Sequence, residues 1–304
     1  MTGPGGRAVL MVGGHESLPA HVPRGGVPLP GAGGIHDPGR GLRTALRDRA
    51  RAVVVPMTLG RDPVLGPTAA QTLAWAGRDR PGDLLLAPPL GTITHLIGWI
   101  RAAVLRAVRD GDIRDGDSRA AVLLVARAAD PEADAELFKV ARLVRRYLPV
   151  RWVEVALTEG DPDVAEGVER CRRLGAGEVV LVPASLVPLP PCPAADRVAG
   201  PLLGTAALTA LVRDRAAEAE RRWSRNRDDG LAAAAQHGHG HGHGHGHGHG
   251  GEDAPHRHDD LPEFTRTTPG EETAHGERRL HVRGRGDRAQ RRSAPGDADR
   301  AQHR

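Results

Sequence analysis

The residues best suited to chemistry are histidines in two settings. Near the start, the apolar run Ala8-Val9-Leu10-Met11-Val12 ends in Gly13-Gly14-His15-Glu16. It reads as a buried parallel strand that delivers His15 to the lip of a sheet, and ligands of open α/β sheets bind beyond the carboxyl ends of the strands. An imidazole there can bind a metal ion or move a proton near neutral pH. The second setting is a tract of seven His-Gly pairs, His237 to Gly250, with imidazoles at His237, His239, His241, His243, His245, His247 and His249. Imidazole suits cobalt, nickel, copper and zinc, and it must be neutral to bind, so affinity is expected to fall below about pH 6. Alternating glycine lets several rings reach one ion but cannot preorganise a catalytic geometry. The tract therefore reads as a metal-handling segment. His95, at the start of a helix after a strand, and Glu159, in the loop Thr158-Glu159-Gly160-Asp161-Pro162, are further candidates to face the same crevice.

Strands must alternate with helices to place these groups. Apolar runs predict strands at Ala52–Met57, Asp83–Pro88, Ala120–Val125, Trp152–Leu157 and Glu178–Pro183. Helices are expected over Leu42–Ala50, Thr68–Ala76, Thr92–Val108, Glu132–Tyr147, Val164–Leu174 and Thr205–Arg222. In Glu132–Tyr147 the apolar residues Leu137, Val140, Ala141 and Val144 keep the helical spacing, and Asp130-Pro131 supplies a cap followed by a first-turn proline. Between Leu18 and Arg40, Pro19, Pro23, Pro28, Pro30 and Pro38 break any helix, leaving a long loop or a decayed helix. Strands alternating with helices imply an α/β, doubly wound parallel sheet.

The two halves resemble each other. Val9–Val12 matches Val122–Val125 at an offset of 122 − 9 = 113, and Gly91-Thr92 matches Gly204-Thr205 at 204 − 91 = 113. Val54-Val55-Pro56 matches Leu181-Val182-Pro183 at 183 − 56 = 127. A duplicated domain is expected, with a helix lost early in the first copy and a helix–strand segment lost late in the second. The domains are then 1–116, 117–225 and a disordered, His-rich tail, 226–304.

Composition narrows the function. The net charge is +4, but the arginines are interleaved with Asp and Glu, and aromatics are only 2%, so no stacking platform for nucleic acid is present. No apolar run reaches the roughly 18 residues of a membrane helix, and the N-terminal run leads straight into His15 rather than a cleavage site, so a cytoplasmic protein is expected. Two cysteines, Cys171 and Cys192, are too few for a disulfide framework. No Gly-x-Gly-x-x-Gly joins a predicted strand to a helix, and neither a P-loop nor a Gly-x-Ser-x-Gly elbow occurs, which argues against dinucleotide enzymes, P-loop NTPases and α/β hydrolases.

Val12-Gly13-Gly14-His15-Glu16 resembles the first-strand His motif of the small ATP-independent sirohydrochlorin chelatases, the cobalt-inserting enzymes of cobalamin synthesis and their iron-inserting relatives. The second half resembles them too. Asp130–Glu136 with Lys139–Leu143 is similar to the family's first helix, and Val153–Ala156 with Gly167–Ala176 to its second strand and helix. Val53-Val54-Val55-Pro56-Met57-Thr58-Leu59-Gly60-Arg61-Asp62-Pro63 looks like the first-half counterpart. The resemblance covers about residues 7–222 and implies two chelatase-like domains. It implies insertion of Co²⁺, or else Fe²⁺, into sirohydrochlorin, with the metal and the tetrapyrrole as substrates and no nucleotide, nucleic acid or membrane, by a monomer or homodimer.

The resemblance assigns metal binding and catalysis to His15, with Glu159 as the family's carboxylate, and leaves Arg61 or Arg127 to hold substrate carboxylates. The family's second His has no counterpart after Val182-Pro183, and Arg127 or Ala128 stands at the second-half position of His15. The alternative is a non-catalytic metal-binding or metallochaperone protein on a degenerate chelatase fold.

Overall fold

The computed structural model describes residues 6–19, 27–29, 32–109, 120–148, 150–189 and 191–237. β1 (Ala8–Val12) is the centre of the first sheet. It pairs in parallel with β3 (Ala32–His36) on one side and β4 (Ala52–Pro56) on the other, and β5 (Leu84–Leu86) extends the sheet beyond β4. β2 (Val27–Leu29) runs antiparallel at the outer edge of β3. In the second sheet β6 (Ala120–Arg127) lies between β7 (Trp152–Thr158) and β8 (Glu178–Pro183), with β9 (Arg197–Val198) beyond β8 and every pairing parallel. The helices are α1 (Arg40–Leu46), α2 (Leu65–Gly77), α3 (Ile93–Arg109), α4 (Pro131–Arg146), α5 (Val164–Arg173), α6 (Thr205–Asn226) and α7 (Leu231–His237). This is the α/β architecture expected, with two sheets that are parallel apart from the edge strand β2.

The register makes the internal repeat explicit. Val12 pairs with Pro56, and Val125 with Pro183. These are the residues related by offsets of 113 and 127. On that frame β1, β3, β4 and β5 correspond to β6, β7, β8 and β9. The copies differ where a helix is missing. α4 joins β6 to β7, but no helix is described between β1 and β3. α2 joins β4 to β5, but the described residues between β8 and β9 contain no helix.

The expected loss of a helix–strand segment in the second copy needs correcting. The helix is gone, but the strand survives as the two-residue β9. The long loop expected over Leu18–Arg40 likewise holds β2 and β3. Neither showed in the sequence, because Ala32-Gly33-Gly34-Ile35-His36 carries no apolar run and Arg197-Val198 is too short for periodicity.

Alternation along the strands sets two faces. Val9 and Met11 join Val53, Val55 and Leu85 in a core shared with Val122, Leu124, Val180 and Val182 of the second sheet. Leu10, Val12 and Val54 face the opposite way, onto Leu42, Leu65 and Leu73 of α1 and α2. The last helix of each half crosses over: α3 packs on α4 and β8, and α6 packs on β4 and β5. α7, within the stretch read as tail, packs on α2, and its preceding turn is tied to β5 where the Leu86 N–H donates to the Asp229 carbonyl at 2.8 Å.

Candidate functional site

His15 stands just past the end of β1, at the junction of both halves. The two glycines before it are close-packed. A Cβ on Gly13 would lie 2.3 Å from Ser17 Oγ and 2.7 Å from Ile35 Cγ2, and a Cβ on Gly14 would lie 1.9 Å from Asp62 Oδ2. The Gly-Gly pair therefore lets the chain turn tightly against β3 and against Asp62.

Glu16 builds the wall beside His15. Its side chain is buried, and Oε2 accepts the Thr58 hydroxyl, the Leu59 N–H at 2.9 Å and the Arg61 N–H at 3.2 Å. One carboxylate oxygen thus gathers the loop that follows β4. Burial pushes the Glu16 carboxyl above the ordinary glutamate value, against the pull of the Thr58 and Leu59 hydrogen bonds and of Arg61. The Glu16 carbonyl accepts the Leu186 N–H from the second half at 2.8 Å.

That loop delivers Asp62 and Arg61 in different directions. Asp62 Oδ2 lies 3.5 Å from His15 Nδ1, with the two side chains 6% and 11% exposed, while Asp62 Oδ1 accepts the Leu65 N–H at 3.1 Å. Burial raises the Asp62 carboxyl; the Leu65 N–H pulls the other way. The fully buried Arg61 side chain crosses to α4. Its Nε donates to the Ala133 carbonyl at 3.1 Å, and Nη2 lies 3.5 Å from Asp134 Oδ1. The Arg61 guanidinium is thus turned toward α4 through Nε and Nη2, while Nη1 has no partner among the described residues. Arg127 Nη1 donates to the Leu18 carbonyl at 3.3 Å.

Electrostatics keep His15 neutral. Its pKa is lowered to about 4, chiefly by burial and then by the Arg61 and Arg127 cations, with Asp130 opposing. His15 Nε2 is buried and unpartnered among the described residues, as are Glu16 Oε1, Ser17 Oγ and Arg61 Nη1. Four of the seven such atoms thus meet at this junction. Buried polar atoms are normally paired, and a cluster of unpaired ones marks a place that a polar ligand, ion or water completes.

Beyond Asp62 lies a cavity of about 630 Å³ at the carboxyl ends of β4 and β5. Thr58, Asp62 and Thr92 line it, with Arg222 of α6 and Ala233 and Ala234 of α7. Asp62 is among its lining residues and His15 is not.

No hydrogen bond or ion pair joins the other candidates to His15 among the described residues. His95 is exposed on the first turn of α3, where Nδ1 accepts the Thr92 N–H at 3.2 Å and the ring packs 5.6 Å from Trp99. It caps a helix rather than facing His15. Glu159 is exposed on the turn after β7, at φ 64°, and makes no hydrogen bond or ion pair among the described residues. His237 ends α7, and His239, His241, His243, His245, His247 and His249 lie outside the described residues. The offset of 113 puts Ala128 at the second-half position of His15. Among the described residues no three His, Cys, Asp or Glu side chains are grouped to hold a metal ion, and no helix is long and apolar enough to cross a membrane. Asp62 is a site residue that the sequence alone does not single out. Its signal was the Asp-Pro step three residues before Leu65, a helix-start pattern, and only the fold brings it to His15.

The CbiX family model matches residues 121–188, from β6 to just past β8. The sirohydrochlorin cobaltochelatase of Priestia megaterium is 35% identical over 68 residues, which are 22% of this chain and 22% of that protein. The match thus spans about a fifth of that relative. Among solved structures, SirB from Bacillus subtilis with Fe³⁺ aligns over 75% of this chain and 100% of its own at 15% identity and a TM-score of 0.48. The sirohydrochlorin chelatase SirB from Bacillus subtilis subspecies spizizenii, in complex with cobalt, aligns over the same shares at 14% identity and a TM-score of 0.42. A multi-domain Deinococcus radiodurans protein with structural similarity to chelatases aligns over 70% of this chain and 55% of its own at 20% identity and a TM-score of 0.40.

Proposed function

We propose that this chain is a metal chelatase that inserts Co²⁺, with Fe²⁺ as the alternative ion, into sirohydrochlorin without ATP, in cobalamin biosynthesis; the match of residues 121–188 to the CbiX family model supports this reading. The observation that carries this reading is His15: a buried, neutral imidazole at a strand end, with an unpartnered Nε2 inside a cluster of unpaired polar atoms. A neutral imidazole offers a lone pair to a divalent ion at neutral pH, where a protonated one does not.

In this reading the metal and the tetrapyrrole are both substrates. His15 takes the incoming ion, and two pyrrole nitrogens each lose a proton as the metal–nitrogen bonds form: one proton passes to His15 as it releases the ion, and the other passes to water. Glu159, exposed and unpaired, is the proposed carboxylate partner. The imidazoles from His237 to His249 hold metal and raise its concentration near the folded part, since α7 ends where the tract begins. Arg127 remains the proposed contact for a peripheral carboxylate of the substrate. The protein is proposed to act in the cytoplasm, as a monomer or homodimer, with no nucleotide.

The test is to mix purified protein with sirohydrochlorin and Co²⁺, Fe²⁺ or Ni²⁺ and to follow the absorption spectrum. His15→Ala is expected to lower the insertion rate by about 10²-fold or more. Equal rates for wild type and His15→Ala would remove His15 from the reaction. Deleting residues 238–304 is expected to spare turnover at high metal and to reduce it when metal is scarce.

A further inference from the structure

We infer that Asp62 is the positioning residue for His15: its carboxylate holds the imidazole proton on Nδ1 and so leaves Nε2 as the nitrogen that takes the metal ion. The inference rests on the proposed role of His15, but its first readout does not depend on that role.

A neutral imidazole has one N–H donor and one lone pair, and the partner of one ring nitrogen decides which is which. Asp62 Oδ2 is 3.5 Å from His15 Nδ1, and the opposite nitrogen, Nε2, is buried without a partner among the described residues. A carboxylate only accepts, so the proton goes to the Nδ1 side. Metal-binding histidines are commonly oriented in this way by a carboxylate on the other nitrogen.

Asp62 is fixed from three directions. Its Oδ1 takes the Leu65 N–H at the start of α2. The loop that carries it hangs from Glu16 Oε2 through Thr58, Leu59 and Arg61. The absence of a Cβ on Gly14 leaves the room that Oδ2 occupies. The residue beside His15 in sequence thus builds the loop that returns a carboxylate to His15 in space.

Asp62→Asn separates positioning from support. The amide oxygen keeps the Leu65 N–H, and the amide NH₂ turns toward Nδ1 as a donor. The ring proton then moves to Nε2 and occupies the metal-binding position. Asp62→Ala offers Nδ1 neither partner and is expected to give a mixture of tautomers. The experiment uses the full chain, metal-free and labelled with ¹⁵N-histidine at neutral pH. Long-range ¹H–¹⁵N correlation spectra report the tautomer, and His15 is assigned by the signal missing from His15→Gln. The wild type is expected to show Nδ1–H, and Asp62→Asn to show Nε2–H. Titration of the same signals with free Zn²⁺ set by a chelator buffer is expected to show a 10- to 100-fold weaker site in Asp62→Asn.

An Nε2–H tautomer in the wild type would overturn the inference. So would an unchanged tautomer in a folded Asp62→Asn protein, because any loss of affinity would then mark Asp62 as a ligand itself. If the tautomer switches and wild-type protein still fails to metallate sirohydrochlorin, the proposed function fails and the positioning role stands.

Discussion

The Arg61 main-chain N–H donates to Glu16 Oε2 at 3.2 Å, so the buried carboxylate next to His15 anchors the base of a side chain that runs from the β4 loop to α4. The same residue then donates from Nε to the Ala133 carbonyl, joining the two halves at the candidate site. Arg61 is fully buried, with Asp134 within 3.5 Å. Truncating one member of a buried ion pair leaves the other uncompensated. Arg61→Ala is therefore expected to cost about 3 kcal/mol of unfolding free energy. Arg61→Met, which refills the volume without the charge, should cost less. Urea denaturation of both variants checks the order, and equal stability of Arg61→Ala and wild type would deny the clamp.

His15 makes stability depend on pH. Its folded pKa of about 4 lies below the ordinary 6.5, so the folded protein disfavours the charged ring. The stability held by the neutral ring is complete above about pH 6.5 and is lost as pH falls from there toward 4. Wild type should lose stability relative to His15→Gln across that window, and parallel curves for the two proteins would contradict it. Asp130 opposes the shift, and it also caps α4, where Oδ1 accepts the Ala133 N–H at 2.9 Å. Asp130→Asn keeps a cap of about equal strength. It should lower the His15 pKa further, as followed by NMR.

Gly14 tests the same junction through space alone. A Cβ there meets Asp62 Oδ2 at 1.9 Å, and that carboxylate is held by Leu65 and cannot simply swing away. Gly14→Ala is expected to destabilise the fold by about 1–3 kcal/mol and to remove the tautomer preference of His15. A variant with wild-type stability and tautomer would show that Asp62 has slack.

Much of this fold was legible because its strands are buried on both faces and read as unbroken apolar runs, as Ala52–Pro56 and Ala120–Arg127 do. The repeat was legible too, since Val12 and Pro56 recur as Val125 and Pro183. What escaped was structure made by pairing rather than by pattern. β3 is glycine-rich and is held between β1 and β2, and β9 has two residues at the sheet edge beyond β8. α7 was hidden in a stretch whose polar, low-complexity continuation dominated its composition. At the site, His15 announced itself at the end of an apolar run. Asp62 did not, because 47 residues (62 − 15) separate it from the ring it faces. The setting of Arg61 was hidden for a related reason: an arginine in a loop reads as exposed, and only the fold shows its guanidinium buried against Ala133. The family match falls on residues 121–188, the half that has Ala128 in place of His15 and that has a helix between its first two strands.

The two cysteines should behave oppositely, and this bears on metal handling. Cys171 is buried on α5 among Leu123, Ala156 and Val179, and burial pushes its thiol up to about 11, with Glu154 adding to the shift and Arg172 opposing it. The thiolate is the metal-binding and nucleophilic form, so Cys171 stays a protonated core residue at neutral pH and supplies no soft ligand. Cys192, in the loop before β9, is only half-buried. Native protein treated with a maleimide at pH 7 is expected to take one label per chain, on Cys192, and Cys192→Ser to take none until denatured. Cys171→Ser places a hydroxyl in an apolar cluster and should cost about 1–3 kcal/mol. Rapid native labelling at Cys171 would mean that α5 opens from its sheet far more readily than its packing implies.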